Sequence, residues 1–120
     1  MPKLIDTNVI LRLLVPSDKD QVKDAREIVS ANECLVTSIV VAEVIWVLIK
    51  VYGYDRKQVA ILTDFLSLKT IHLEEESIIL KAIEKFVSSK FGFVDCFLLA
   101  RSKQQNLEII TFDKKLQKAS

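Results

Sequence analysis

Four carboxylates interrupt stretches of this 120-residue chain that are otherwise apolar or neutral: Asp6 in KLIDTNVIL, Glu43 in SIVVAEVIWVLI, Asp95 in FGFVDCFLLA and Asp113 in EIITFDKKL. An ionised group loses its hydration in such surroundings, and each repetition adds to the cost. A fold that accepts all four must deliver them to one place where their charge is compensated. A shared divalent cation would do this, which makes metal-dependent phosphodiester chemistry the leading expectation.

The local patterns describe how such a fold would be strung together. Pro2 to Ile5 reads as a short buried strand, followed by helical spacing from Thr7 to Leu14 that Val15-Pro16 stops. Ser17 or Asp18 can cap a second helix to about Ala31, with Val22, Ala25, Ile28 and Val29 as its inner face. Cys34 to Thr37 reads as a second strand. Ser38 is the expected cap of the most apolar element, Ile39 to Tyr52, which Gly53 would end in the left-handed conformation. A helix apolar nearly all round must be buried on most sides, and another copy of the chain is one source of that burial.

Asp55 is expected to cap a helix through about Leu68, and Thr70 to Leu73 forms a third strand. Glu74, Glu75 and Glu76 open a further helix ending near Ser89. A Phe91-Gly92-Phe93 turn leads into a helix from about Val94 to Gln105, which Asn106 stops. Glu108 to Phe112 is the fourth expected strand, and Asp113 begins a last helical turn. Strands separated by helices imply an α/β fold with a parallel sheet and helices on both faces. Ligands in such sheets sit beyond the carboxyl ends of the strands. Asp6 and Asp113 end expected strands, Glu43 lies early in the helix leaving the second strand, and Asp95 opens the helix leading to the last.

Composition sets further bounds. One compact domain over residues 1–120 is expected, since the chain is too short for two cores. Its formal net charge of +1 is not that of a strongly basic nucleic-acid binder, so positive charge has to be concentrated locally or supplied by a second subunit. Cys34 and Cys96 lie in apolar stretches and are read as buried thiols. There is no leader-like segment and no apolar run of spanning length, so a cytoplasmic protein without a membrane segment is expected.

Each acid also has a plain structural reading. Asp6, Asp95 and Asp113 all precede helical segments and can serve as caps. Glu43 can share a solvated stripe with Lys50, although Ile39, Val40, Trp46 and Val47 crowd the same neighbourhood. Four acids independently placed for one sheet edge are harder to explain by capping alone.

The same residues resemble the motifs of the PIN domain family, most closely its small VapC-type toxin ribonucleases. LIDTNVILRLL looks like the first motif, TSIVVAEVIWVL the second, FGFVDCFLLARS the third and IITFDKKL the fourth. The resemblance implies a three-layer α/β/α fold with a central parallel sheet of four or five short strands. It implies an endoribonuclease using Mg²⁺ or Mn²⁺, one or two ions per site, with RNA as substrate. Asp6, Glu43 and Asp95 would be the main ligands, with Asp113 completing the cluster. Asn8, Ser38 and Thr111 would orient them from behind. A homodimer and a small antitoxin protein that occludes the site are also implied. The chain stops at Ser120, short of the final strand such domains commonly carry, and Cys96 stands where a small residue such as Ala is usual.

Arg12, Lys50, Arg101, Lys103, Lys114 and Lys115 each follow an acidic motif and are candidates for RNA phosphate contacts, Arg12 and Lys114 first among them; ordinary solvated surface charge is the plain reading of most. His72 is read as a strand residue, Glu74 to Glu76 as a helix start, and Phe91, Phe93 and Phe97 as core. Three other readings are weighed. A PIN-fold module can bind RNA or protein with little nuclease activity. A signalling receiver-like Mg²⁺ domain wants paired acids after the first strand, where only Asp6 stands. A haloacid-dehalogenase-like phosphatase wants a second Asp where Asn8 stands.

Overall fold

The computed structural model describes residues 1–16 and 18–120. The chain divides into two compact units, Met1–Glu74 and Glu75–Ser120. The first unit holds a parallel sheet of three strands, β1 (Lys3–Leu4), β2 (Cys34–Val36) and β3 (Ile71–Leu73), with β2 in the centre. Lys3 pairs with Cys34 and Leu4 with Leu35; Cys34, Leu35 and Val36 pair with Ile71, His72 and Leu73. Side chains alternate along the pleat. Cys34, Val36 and Ile71 are buried on one face, while Leu4, Leu35 and His72 occupy the other, where Leu4 and His72 are exposed.

Helices flank this sheet. α1 (Thr7–Leu14) buries Thr7, Ile10, Leu11 and Leu14, and the Tyr54 hydroxyl donates to the Leu14 carbonyl at 3.2 Å. α2 (Lys19–Ala31) starts at Asp18, whose carboxylate accepts from the amides of Asp20 and Gln21. The alternative cap, Ser17, lies outside the described residues. The inner face of α2 is narrower than expected: Ala25 and Val29 are buried, but Ile28 is exposed. α3 (Ser38–Lys50) is capped by Thr37 rather than Ser38, because Thr37 Oγ1 reaches the Val40 amide at 3.3 Å. Val41, Val44, Ile45 and Leu48 form its buried face. Gly53 follows with φ +69, as its expected left-handed role requires.

The stretch opened by Asp55 begins more tightly than a regular helix. Asp55 and Gln58 exchange amide-to-side-chain hydrogen bonds, each 2.8 Å, in a reciprocal capping arrangement. A 3₁₀ turn over Gln58–Ala60 then passes into α4 (Ile61–Leu66). His72 is a surface strand residue, its Nε2 3.0 Å from Glu33 Oε1.

The second unit contains α5 (Glu76–Ser88), α6 (Phe93–Gln105) and α7 (Lys114–Ala119). α5 and α6 pack as a hairpin, with the Phe86 and Phe93 rings edge-on at 6.4 Å. Asn106 ends α6 in the left-handed conformation, φ 54, as expected of a stop residue. Phe91, Phe93 and Phe97 are half-buried, not fully within the core. Cys34 and Cys96 are buried and free. Burial pushes the Cys34 thiol up, as does the Glu33 charge, and Lys3 opposes both.

One expected element is missing. Glu108–Phe112 has the composition of a strand but forms no ladder, so the described residues contain three strands where four or five were expected. A strand exists only through a partner for its amides and carbonyls. This segment is tied locally instead: Gln117 Nε2 donates to the Thr111 carbonyl and the Leu107 amide donates to the Ser102 carbonyl. Ile110 and Phe112 are left fully exposed.

The buried face of α3 sets an expectation for stability. Leu48 is fully buried, so Leu48→Ala should lower the unfolding free energy by about 2–5 kcal/mol. Urea denaturation followed by circular dichroism measures this, and a loss below about 1 kcal/mol would contradict this packing of α3.

Candidate metal and nucleic-acid site

A parallel sheet aligns the carboxyl ends of its strands, and in the first unit those ends lead into Asp6, Thr37-Ser38 and Glu74. Asp6 occupies the N-cap position of α1, yet its side chain makes no capping hydrogen bond. Its main-chain carbonyl instead starts the helix, accepting from the Val9 and Ile10 amides. The Asp6 carboxylate is exposed beyond β1. Asn8, the second residue of α1, is exposed, and Arg12 lies one turn further along the same face.

Glu43 is the sixth residue of α3 and is exposed. It shares the outer stripe of that helix with Lys50, as the solvated reading anticipated, but also with Ile39 and Trp46. Those two apolar side chains are 82% and 58% exposed. Ser38 begins α3, and its amide donates to Glu74 Oε1 at 3.0 Å.

The other two acids belong to the second unit. Asp95 is the third residue of α6 and half-buried; Gly92, not Asp95, holds the cap position. A carboxylate in a first turn faces the positive end of the helix dipole. Asp113 is the one acid of the four that caps by its side chain. Its Oδ1 accepts from Lys115 and Leu116 amides at 2.8 and 3.1 Å. Thr111 Oγ1 accepts from the Asp113 amide at 3.0 Å, and Lys114 opens α7 with its side chain exposed. Because Glu108–Phe112 is not a strand, Asp113 does not sit at a strand end as expected.

Among the described residues, neither unit by itself gathers three or more His, Cys, Asp or Glu side chains able to hold a metal. The first unit brings Asp6 and Glu43 to elements leaving one sheet edge, and the second carries Asp95 and Asp113. The donor chemistry nonetheless suits a hard divalent ion. All four groups are carboxylates, whereas the two thiols are buried and His72 is engaged with Glu33. None of the four acids lines a groove of the second unit, about 1080 Å³, whose walls include Lys81, Lys85, Lys103 and Glu108.

Residues 3–120 match the PIN domain. The chain belongs to the PIN domain family. No curated protein and no solved structure matches it. PIN domains are a nuclease-type fold family, generally acting on nucleic acids and usually using divalent metal ions. In this PIN domain, no helix among the described residues is long and apolar enough to cross a membrane.

Glu74 is the residue of this region that sequence reasoning assigned elsewhere. It was expected to help open α5, but its carboxylate serves the start of α3. Glu76 alone of the three lies in the first turn of α5, and Glu75 pairs with Arg101. The signal was present in the order of residues: an acid directly after a strand, and no acid in the first turn of the preceding apolar helix.

The different use of the two aspartates at helix starts is measurable. Asp113→Ala should destabilise α7 locally by about 1 kcal/mol, seen as faster amide exchange at Lys115 and Leu116. Asp6→Ala removes no capping bond and should cost less than about 0.5 kcal/mol in urea unfolding. Equal effects at the two positions would contradict the distinction.

Proposed function

We propose that this chain, as one PIN domain over residues 1–120, is a metal-dependent endoribonuclease of the VapC toxin type. The observation that carries the reading is the match to the PIN domain over residues 3–120 together with all four acids in order. Asp6, Glu43 and Asp95 would hold Mg²⁺ or Mn²⁺, with Asp113 completing the set. Capping engages Asp113 Oδ1 with two amides, which fits a supporting place for this residue. Bound among these carboxylates, one or two such ions supply Lewis-acid stabilisation of the phosphodiester and lower the pKa of the attacking water.

The chain's own groups then have definite tasks. Asp6, exposed beyond β1 and free of capping duty, and Glu43, on the outer face of α3, face solvent where RNA can reach them. Asn8, Ser38 and Thr111 would hold the carboxylates in place; Thr111 Oγ1 accepts from the Asp113 main-chain amide and so steadies the backbone that bears that carboxylate. Arg12 and Lys114, both exposed, would meet backbone phosphates. In the reaction, the oxygen of water bonds to phosphorus as the P–O3′ bond breaks. The departing oxygen takes up a proton, leaving a 3′-hydroxyl and a 5′-phosphate.

Ile39 and Trp46 flank Glu43 on an exposed stripe, which favours a protein partner covering the site, as a small antitoxin would. Val51 and Tyr52, exposed just past α3, are candidates for a homodimer contact away from Glu43. The alternative, a PIN-fold module that binds RNA or protein without cutting, keeps the same surfaces and predicts no turnover.

Two experiments decide. Antitoxin-free protein with Mg²⁺ or Mn²⁺ should cut cellular RNA to products bearing 5′-phosphates, and chelation should stop it. Asp6→Asn or Asp95→Asn should lower cleavage by about 10²-fold or more with unchanged circular dichroism. Activity retained in either variant overturns the site, and absence of cleavage in the parent protein favours the binding module. Separately, Val51→Asp with Tyr52→Asp should shift the protein to monomer in sedimentation; an unchanged species removes this contact from the dimer.

A further inference from the structure

The helix that carries Glu43 begins with a hydroxyl cap, Thr37, but with no acid of its own in the first turn. A helix start exposes amides that lack partners inside the helix, together with the positive end of the dipole. The common remedy is a Glu or Gln at the third helical position, reaching back to the cap. In α3 that position is Val40, and the first turn contains no acid. Thr37 Oγ1 meets the Val40 amide, and the carboxylate comes from a distant part of the chain: the Ser38 amide donates to Glu74 Oε1 at 3.0 Å. Glu74 is itself held by the sheet. Its amide donates to the Val36 carbonyl at 2.9 Å, continuing the ladder one step past β3.

We infer that Glu74 is a positioning residue for the acidic site, fixing the start of α3 and, through it, the place of Glu43. It does not bind metal or substrate. Ser38 and Glu43 lie five residues apart on one rigid helix, so tilt or fraying at Ser38 moves the Glu43 carboxylate relative to Asp6. The Glu74 bond ties that helix start to β3, just as Asp6 is tied to β1. The two elements that carry Glu43 and Asp6 are thereby referred to the same sheet. The inference rests on the proposed role of the acids as metal ligands.

Glu74→Ala and Glu74→Gln in the full chain test it by two readouts that need no turnover. The first is amide exchange at Ser38 in metal-free protein, and the second is Mn²⁺ affinity by calorimetry. The alanine variant should speed Ser38 exchange about fivefold. It should weaken Mn²⁺ binding about tenfold. The Gln side-chain carbonyl can still accept from Ser38, so Glu74→Gln should restore most of both. Parent-like Mn²⁺ affinity in the alanine variant makes Glu74 a cap only and overturns the inference, while the acidic site stands. Should the alanine variant not fold, a glutamine variant that keeps slow Ser38 exchange yet loses Mn²⁺ affinity overturns it equally. If the parent chain shows no Mn²⁺ binding that Asp6→Asn abolishes, the ligand reading itself fails and takes this inference with it.

Discussion

The hydrogen-bonded ladder through β2 is the constraint on which the chemistry-bearing part of the first unit depends. β2 is only three residues long, yet it pairs on both sides and in parallel. Parallel pairing sends all three strands out at one edge, and each exit carries a polar group: Asp6 after β1, Thr37 and Ser38 after β2, Glu74 after β3. The short strands suffice because Cys34, Val36 and Ile71 bury one face, and buried apolar area rather than strand length supplies most of the stabilisation. Antiparallel pairing of β1 with β2 would send Asp6 to the opposite edge from Ser38.

Four residues of similar charge stand in four distinct local situations. Asp113 satisfies two amides, Asp6 holds a cap position without using its side chain, Asp95 lies within the first turn of a helix, and Glu43 lies on an exposed stripe. A carboxylate whose oxygen already accepts from two amides has fewer lone pairs left for a cation. One at a helix start that makes no such bond leaves its oxygens to solvent or to a ligand. This difference, and not rank within a motif, is the physical basis for setting Asp113 apart from Asp6.

α3 shows how an apolar sequence can be both core and surface. Its inner face, Val41, Val44, Ile45 and Leu48, is almost wholly buried, while Ile39 and Trp46 stand outward beside Glu43. An exposed Trp alone needs no explanation, but two large apolar residues flanking an acid on one stripe make a surface that a macromolecule can cover. The same stripe explains why Glu43 tolerates so apolar a sequence neighbourhood. Its carboxylate is hydrated, and the neighbours in sequence that are buried point the other way.

How much of this was legible in the chain follows from whether each cause is local. Caps by Asp18 and Asp55 and left-handed stops at Gly53 and Asn106 depend on a few adjacent residues, and they occur where the residues indicate. Thr37 displaced Ser38 as the cap of α3 because either hydroxyl suits the role and only the backbone at the strand exit decides between them. The bond from Ser38 to Glu74 spans 36 residues and depends on sheet register, which no local pattern encodes. Glu108–Phe112 is the clearest limit. Its run of β-branched and aromatic residues, Ile109 to Phe112, expresses a fitness for pleated surroundings, not a guarantee of them. Without a ladder, the same residues form no strand and leave Ile110 and Phe112 in solvent. Membership of the PIN domain family was legible because its motifs are linear; how far each acid is committed to capping is a property of backbone geometry, and only the structure distinguishes Asp113 from Asp6 on that ground.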